Sequence, residues 1–335
     1  MIQVLTKNDI SELTTRLLSG DRIALARAIT LAESQLTEHQ VYASEILQNI
    51  NSKTGNSLRI AITGVPGAGK STFINCLGER LCQAGNKVAV LSIDPSSEKS
   101  KGSILGDKTR MEALSKEENA FIRPSPSSGE LGGVARRTRE ALLLCEAAGY
   151  EIILIETVGV GQSETAVQHL SDIFVLLLIT GAGDDLQGIK RGIMELADII
   201  VINKADGENL NVAKSYRQQI ANSIHLFPAS NSGWIPQTLT CSSIQNTDID
   251  KVWSSIESYF IKVKSNGFFK SKREKEIEYW QQKNIEEILV SDFQKSHIFK
   301  TFLNQNRSAD LGFNELRKLI NNYYAAIQLP QHENL

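Results

Sequence analysis

Eight residues do most to limit what this chain can fold into. Gly64-Val65-Pro66-Gly67-Ala68-Gly69-Lys70-Ser71 follow the apolar run Leu58-Arg59-Ile60-Ala61-Ile62-Thr63 and lead into Thr72-Phe73-Ile74. The pattern G-x-x-x-x-G-K-[ST] between a strand and a helix predicts a loop whose backbone N–H groups turn inward around phosphate oxygens. The positive end of the helix dipole adds to the attraction. Gly64, Gly67, Ala68, Gly69, Lys70, Ser71 and Thr72 are the candidate phosphate contacts. Lys70 is expected to reach the β- and γ-phosphates and the Ser71 hydroxyl to bind Mg²⁺. A glycine-rich turn without a ligand is the alternative.

From residue 58 onward, short apolar runs alternate with helix-length segments. They lie at 58–63, 88–93, 152–155, 173–179 and 199–202, with weaker ones at 224–227 and 238–240. Unbroken apolar runs are expected of parallel strands buried on both faces. The expected fold class is therefore α/β, a mostly parallel central sheet with helices on both faces. Ligands of such sheets bind at the carboxyl ends of the strands. Both ends of the chain read as helical, which predicts a helical region over 1–54, a main domain over 55–265 and a helical arm over 266–335. Asp9 is expected to cap the first helix, Gly20 to stop it and Asp21 to cap the second. Residues 276–289 and 311–327 are the amphipathic candidates in the arm.

Composition narrows the function classes. The 335 residues are 41% hydrophobic and 22% charged with a formal net charge of -2, so no global positive field points to nucleic acid. The one dense basic stretch, at 270–275, reads as a solvated helix start or linker. The longest apolar run, at 173–179, is far shorter than the ~20 residues a membrane span needs. No signal-like segment opens the sequence. Cys76, Cys82, Cys145 and Cys241 are scattered without metal-ligand spacing, which fits reduced thiols in a cytoplasmic protein.

The residues after the other apolar runs complete a nucleotide site. Asp94 ends the second run, beside the phosphate loop if that strand neighbours the first, and Asp107 follows in a segment without strong pattern. Either can bind Mg²⁺ directly or through water. An Asx turn at Asp94 and a loop aspartate at Asp107 are the alternatives. Glu156-Thr157-Val158-Gly159 ends the third strong run, where an acidic residue holds Mg²⁺ and the glycine N–H senses the γ-phosphate. Ras-like proteins have aspartate in place of this glutamate, and Val160 stands where they carry their catalytic glutamine. That predicts slow intrinsic hydrolysis, and Gln162 is not assigned the missing role. The run at 199–202 opens into Asn203-Lys204-Ala205-Asp206, an N-K-x-D motif. A carboxylate at Asp206 can accept from guanine N1–H and the 2-amino group, neither of which adenine offers. Asn203 can read the other edge, and the Lys204 stem can pack on the base. Cys241-Ser242-Ser243 stands where Ser-Ala is usual, with the Ser243 N–H expected at the base oxygen.

Taken together these segments resemble one family, the methylmalonyl-CoA mutase-associated GTPases (MeaB, ArgK and MMAA). The resemblance rests on GVPGAGKST, on DPSSEKSKGSILGDKTRM from Asp94, on FIRPSPSSGELGGVARRTRE from Phe121, on ETVGVGQSE from Glu156, on GAGDDLQGIKRGIMELAD from Gly181 and on NKAD. It implies a homodimeric GTPase of the SIMIBI class that cycles between GTP and GDP with Mg²⁺. Its partner would be an adenosylcobalamin-dependent acyl-CoA mutase, whose cofactor delivery and protection the GTPase gates. By the same resemblance Asp94, Asp107 and Glu156 match switch and Mg²⁺ residues. Asp184, Asp185 and Lys190 match a further switch loop, and the C-terminal helices a dimerisation arm. Arg136, Arg137 and Arg139 are given no catalytic role.

Three other readings compete. A metallochaperone GTPase needs a metal store, and the sequence has no Cys-x-x-Cys and no histidine tract. A kinase of a transport-system binding protein would usually favour ATP, against which N-K-x-D argues. A scaffold on an inactive GTPase fold is opposed by the intact lysine, serine and acidic positions.

Overall fold

The computed structural model describes residues 5–94, 111–126, 131–157, 167–181, 191–224, 230–305 and 312–328. Its strands are β1 (Leu58–Gly64), β2 (Val88–Asp94), β3 (Ala120–Pro126), β4 (Ile152–Thr157), β5 (Ile173–Leu178), β6 (Ile199–Ile202) and β7 (Gln237–Thr240). They form one sheet in the order β3-β2-β4-β1-β5-β6-β7, and every neighbouring pair is parallel. Successive side chains of a strand point to opposite faces. Every residue of β4 and β5 is buried, so both faces of the sheet centre are covered, as the unbroken apolar runs predict.

The strand order corrects one expectation. β2 does not neighbour β1, because β4 lies between them. The connection from β1 through helix α4 (Lys70–Gln83) is long enough to leave a strand's width free. β2 is therefore about two strand spacings, ~10 Å, from β1. Glu156 on β4, rather than Asp94 on β2, is the acidic residue on the strand next to β1.

Three helices open the described chain: α1 (Lys7–Leu18), α2 (Arg22–Glu33) and α3 (Thr37–Ile50). Thr6, not Asp9, caps α1. Its hydroxyl accepts from Asp9 N–H at 3.2 Å, while Asp9 Oδ2 accepts from Thr6 N–H at 2.7 Å, a reciprocal capping box. Asp21 caps α2 as expected, accepting from Ile23 N–H at 2.8 Å and Ala24 N–H at 3.1 Å. A short helix α5 (Glu112–Lys116) precedes β3, and α6 (Leu131–Ala147) precedes β4. The N-terminal helices pack on one another and on α6. Ile10, Leu17, Leu25, Ile29, Ile46 and Ile50 fill that layer. Helices α7 (Arg191–Leu196), α8 (Asn209–Ile224) and α9 (Ile249–Ser265) complete the sheet's cover, and α10 (Phe268–Lys295), α11 (His297–Gln305) and α12 (Phe313–Gln328) end the chain. The weak run at 224–227 is no strand at its start, since Ile224 ends α8, and its remainder lies outside the described residues. Among the described residues no helix is long and apolar enough to cross a membrane. The chain divides into two compact units, Met1–Arg273 and Glu274–Leu335.

The basic stretch at 270–275 is more than a solvated helix start. Arg273 donates from Nε to Asp172 Oδ1 at 2.5 Å, and from Nη2 to Asp172 Oδ2 at 2.7 Å and the Ser57 carbonyl at 2.9 Å. Lys272 Nζ donates to the Asp172 carbonyl at 2.9 Å. Arg59 grips Glu146 through Nε at 2.8 Å and Nη2 at 3.0 Å, and Ser57 Oγ donates to the same carboxylate at 2.5 Å. This buried network ties the starts of β1 and β5 to the end of α6, at the amino ends of the strands, opposite the phosphate loop at their carboxyl ends.

Asp198, ahead of β6, gives a pH-dependent prediction. Its Oδ2 accepts from Phe174 N–H at 3.0 Å. Burial pushes its carboxyl up to about 6, against the smaller opposing pull of Lys272 and that hydrogen bond. A raised carboxylate value means stability that is complete below the unfolded value near 3.8 and lost as pH rises through about 6. Asp198→Asn keeps an acceptor for Phe174 and never ionises. It is expected to be more stable than the native chain by about 1–2 kcal/mol at pH 7, with no gain below pH ~4, in urea titrations at both pH values.

Candidate functional site

The loop after β1 needs glycine for two reasons. A Cβ on Gly64 would stand 2.2 Å from the Leu177 carbonyl oxygen of β5. Gly69, at φ 85°, is in the left-handed region, and its Cβ would stand 2.8 Å from Asn203 Nδ2. Gly69 is also the N-cap of α4, so the helix starts at Lys70 with its orphan N–H groups facing the loop. Gly67 and Thr72 are exposed and Ala68 is buried. Lys70 Nζ folds back onto the carbonyls of Gly64 at 2.9 Å and Val65 at 3.3 Å.

The structure brings together Ser71 and Glu156, the two residues expected at Mg²⁺. Ser71 Oγ donates to Glu156 Oε1 at 2.7 Å, and Ser92 Oγ donates to Glu156 Oε2 at 3.1 Å. Strand register makes this arrangement: Ile62 of β1 and Ser92 of β2 both pair with Glu156 of β4. Thr157 Oγ1 donates to Thr63 Oγ1 at 2.8 Å one residue further on, which fixes the two strand ends against each other. Ser92 is a site residue that sequence reasoning missed, since only the pairing of β2 with β4 brings it there.

At the other end of the site, the structure gives Asn203 a framework role. The residue is 1% exposed. Its Nδ2 donates to the Ala68 carbonyl at 2.8 Å. Its Oδ1 accepts from Ser243 N–H at 3.1 Å and Ser243 Oγ at 2.9 Å. One amide therefore joins the phosphate loop to the Cys241-Ser242-Ser243 loop. The Ser243 N–H, expected at the base oxygen, is directed to Asn203 instead. Lys204 is exposed with a left-handed φ of 58°. Its carbonyl accepts from Asn209 Nδ2 at 2.6 Å, and Asn209 Oδ1 accepts from Thr180 Oγ1 at 2.5 Å, so two further missed residues hold the motif's turn. Ser242 Oγ donates to Asp206 Oδ2.

The backbone of Asp94 ends β2, and its side chain lies outside the described residues, as do Asp107, Gly159 and Lys190 together with Val160, Gln162, Asp184 and Asp185. Arg136 stands 3.7 Å from Glu140 in an i,i+4 pair on α6. All four cysteines are buried, and burial raises each thiol, Cys82 to about 11 and Cys241 to about 12.

The chain is similar to known GTPases. A family model described as methylmalonyl Co-A mutase-associated GTPase MeaB matches residues 25–297. A putative GTPase of Caulobacter vibrioides is 51% identical over 285 residues, which cover 85% of this chain and 87% of that protein. GTPase ArgK of Escherichia coli is 45% identical over 296 residues, covering 88% of this chain and 89% of that one. A solved structure described as LAO/AO transport system kinase superposes with a TM-score of 0.75 at 36% identity, covering 96% of this chain and 100% of its own.

Proposed function

The chain belongs to the methylmalonyl-CoA mutase-associated GTPase family and is a P-loop GTPase; from that premise we propose that its GTP cycle serves an adenosylcobalamin-dependent acyl-CoA mutase, gating cofactor delivery and protecting that enzyme. The observation that carries this reading is the match of the mutase-associated family over 25–297, which takes in the phosphate loop and the N-K-x-D motif. The partner is of the methylmalonyl-CoA mutase type, and a second copy of the chain docks through the helices of 266–335.

The residues present suit Mg²⁺. Ser71 Oγ and the two oxygens of Glu156 form an all-oxygen donor set beside the phosphate loop, as a hard cation requires. A serine hydroxyl that gives its proton to Glu156 keeps its lone pairs for the cation. Ser71 and Glu156 would hold the ion, with Asp94 and Asp107 completing the site directly or through water. Bound there, it would neutralise charge between the β- and γ-phosphates. Lys70 leaves the Gly64 and Val65 carbonyls for the phosphate oxygens, Gly159 N–H contacts the γ-phosphate, and Asp206 accepts from guanine N1–H and the 2-amino group. Asp184, Asp185 and Lys190 couple the nucleotide state to the partner.

The partner reading is tested by sedimentation of the protein with a purified acyl-CoA mutase, in GDP and in a non-hydrolysable GTP analogue. A complex whose stability differs between the two nucleotides is expected. If neither methylmalonyl-CoA mutase nor isobutyryl-CoA mutase co-sediments in either nucleotide, the client assignment fails and the GTPase stands without it.

A further inference from the structure

The loop that presents Ser242 to Asp206 is gripped from its other end by the helix that begins at the phosphate loop. Residues 242–247 close on themselves through two backbone hydrogen bonds between Ser242 and Thr247, each 3.0 Å long. Within that loop Gln245 N–H donates to Ser242 Oγ at 3.1 Å. Asn246 has a left-handed φ of 54°. Arg80 of α4 donates from Nε to Asn246 Oδ1 at 2.7 Å and from Nη2 to the Asn246 carbonyl at 3.1 Å, while its Nη1 pairs with Asp250. The rigid fork of a guanidinium thus fixes both the side chain and the backbone of one loop residue.

We infer that Arg80 and Asn246 are positioning residues for base recognition. Arg80 holds Asn246, the closed loop carries that constraint to Ser242, and Ser242 holds the Asp206 carboxylate in place for the guanine edge. Because α4 starts at Lys70 and Ser71, one helix sets the registration of phosphate contacts and base contacts together. The inference rests on the reading of Asp206 as the guanine contact. As a surface ion pair alone, Arg80 with the exposed Asp250 would matter little. The contacts to Asn246 make the difference.

The test compares dissociation constants for GTP and ITP, which lacks the 2-amino group that Asp206 accepts. Arg80→Ala is expected to lower the preference for GTP over ITP by about five- to tenfold, less than the whole worth of one hydrogen bond to a charged group, because that bond is misaligned rather than removed. Asn246→Gly keeps the left-handed backbone and removes only the carboxamide. It is expected to produce a smaller loss, because Arg80 Nη2 still holds the backbone carbonyl at position 246, and the double variant a loss no larger than that of Arg80→Ala, because both substitutions act on one linkage. A general loosening of the fold would weaken both nucleotides equally and leave the ratio unchanged. An unchanged ratio in Arg80→Ala, in a protein whose Asp206→Asn variant does lose GTP selectivity, overturns the inference. If Asp206→Asn itself keeps GTP selectivity, the reading of Asp206 falls and this inference falls with it.

Discussion

Asp206→Asn is expected to convert a GTP-selective protein into one that prefers XTP, with GTP affinity falling at least a hundredfold. In the proposed site the native carboxylate accepts two hydrogen bonds from guanine, and bonds to a charged acceptor are the strong ones. Withdrawing them from a site built around them commonly costs more than one withdrawn methylene would. An asparagine keeps one acceptor oxygen, so Ser242 Oγ retains its partner and the loop stays in place. Its new N–H₂ group meets the guanine 2-amino group donor to donor, which repels, and meets the xanthine 2-carbonyl as a complementary partner. Competition of GTP, XTP and ATP against a fluorescent guanine nucleotide reads the change. Retained GTP selectivity in the variant would show that Asp206 does not face the base.

Arg273→Ala carries the largest expected cost in stability. Its guanidinium is the bidentate partner of Asp172, whose side chain is 2% exposed, and stands 3.6 Å from Glu146, whose side chain is 1% exposed. Burial by itself pushes the Glu146 carboxyl up, but Arg59, Ser57 and Arg273 outweigh it and hold it below the usual carboxylate range. Removing one member of a buried charge network leaves its partners uncompensated, at about 3–5 kcal/mol. Urea denaturation at pH 7, followed by circular dichroism, should show a loss of that size, and Arg273→Lys should recover part of it. The sign of the acid limb also follows. Glu146 contributes stability above the unfolded value near 4.5 that is lost as pH falls. Arg273→Ala raises the Glu146 value and so moves acid unfolding to higher pH. Breaking the exposed Lys116–Glu112 pair should leave the urea midpoint where it is.

Much of the fold was legible because parallel strands buried on both faces must be apolar at successive positions, and β1, β2, β4, β5 and β6 are. β3 was not legible as a strand. Its sequence, AFIRPSP, carries Pro124 and Pro126, which a central strand does not tolerate. As an edge strand β3 can accommodate residues that donate no ladder hydrogen bond. The order of strands was equally hidden, since nothing local to β2 reports that β4 inserts between it and β1. That insertion is why Glu156 meets Ser71 and Ser92 while Asp94 stands two strands from β1.

Motifs named the site's residues without their partners. Gly64, Gly69, Lys70, Ser71 and Asp206 follow from spacing, because each contact demands that residue type at that strand end. The commitments of Asn203 to Ala68 and Ser243 join residues 135 and 40 positions apart, a separation no motif spans. Likewise the network of Ser57, Arg59, Glu146, Asp172 and Arg273 draws on five places in the chain, so Arg273 reads in sequence as one more cation in a basic stretch.

The rate of GTP hydrolysis, measured with Mg²⁺, alone and with a purified adenosylcobalamin-dependent acyl-CoA mutase, tests the coupling to a client most directly. Slow turnover by the isolated protein, ATP left unhydrolysed, and an acceleration of tenfold or more on adding the mutase are the results expected. Fast GTP turnover that the mutase leaves unchanged would contradict the coupling to a client, and transfer of the γ-phosphate to a protein acceptor would replace the chaperone reading with that of a kinase.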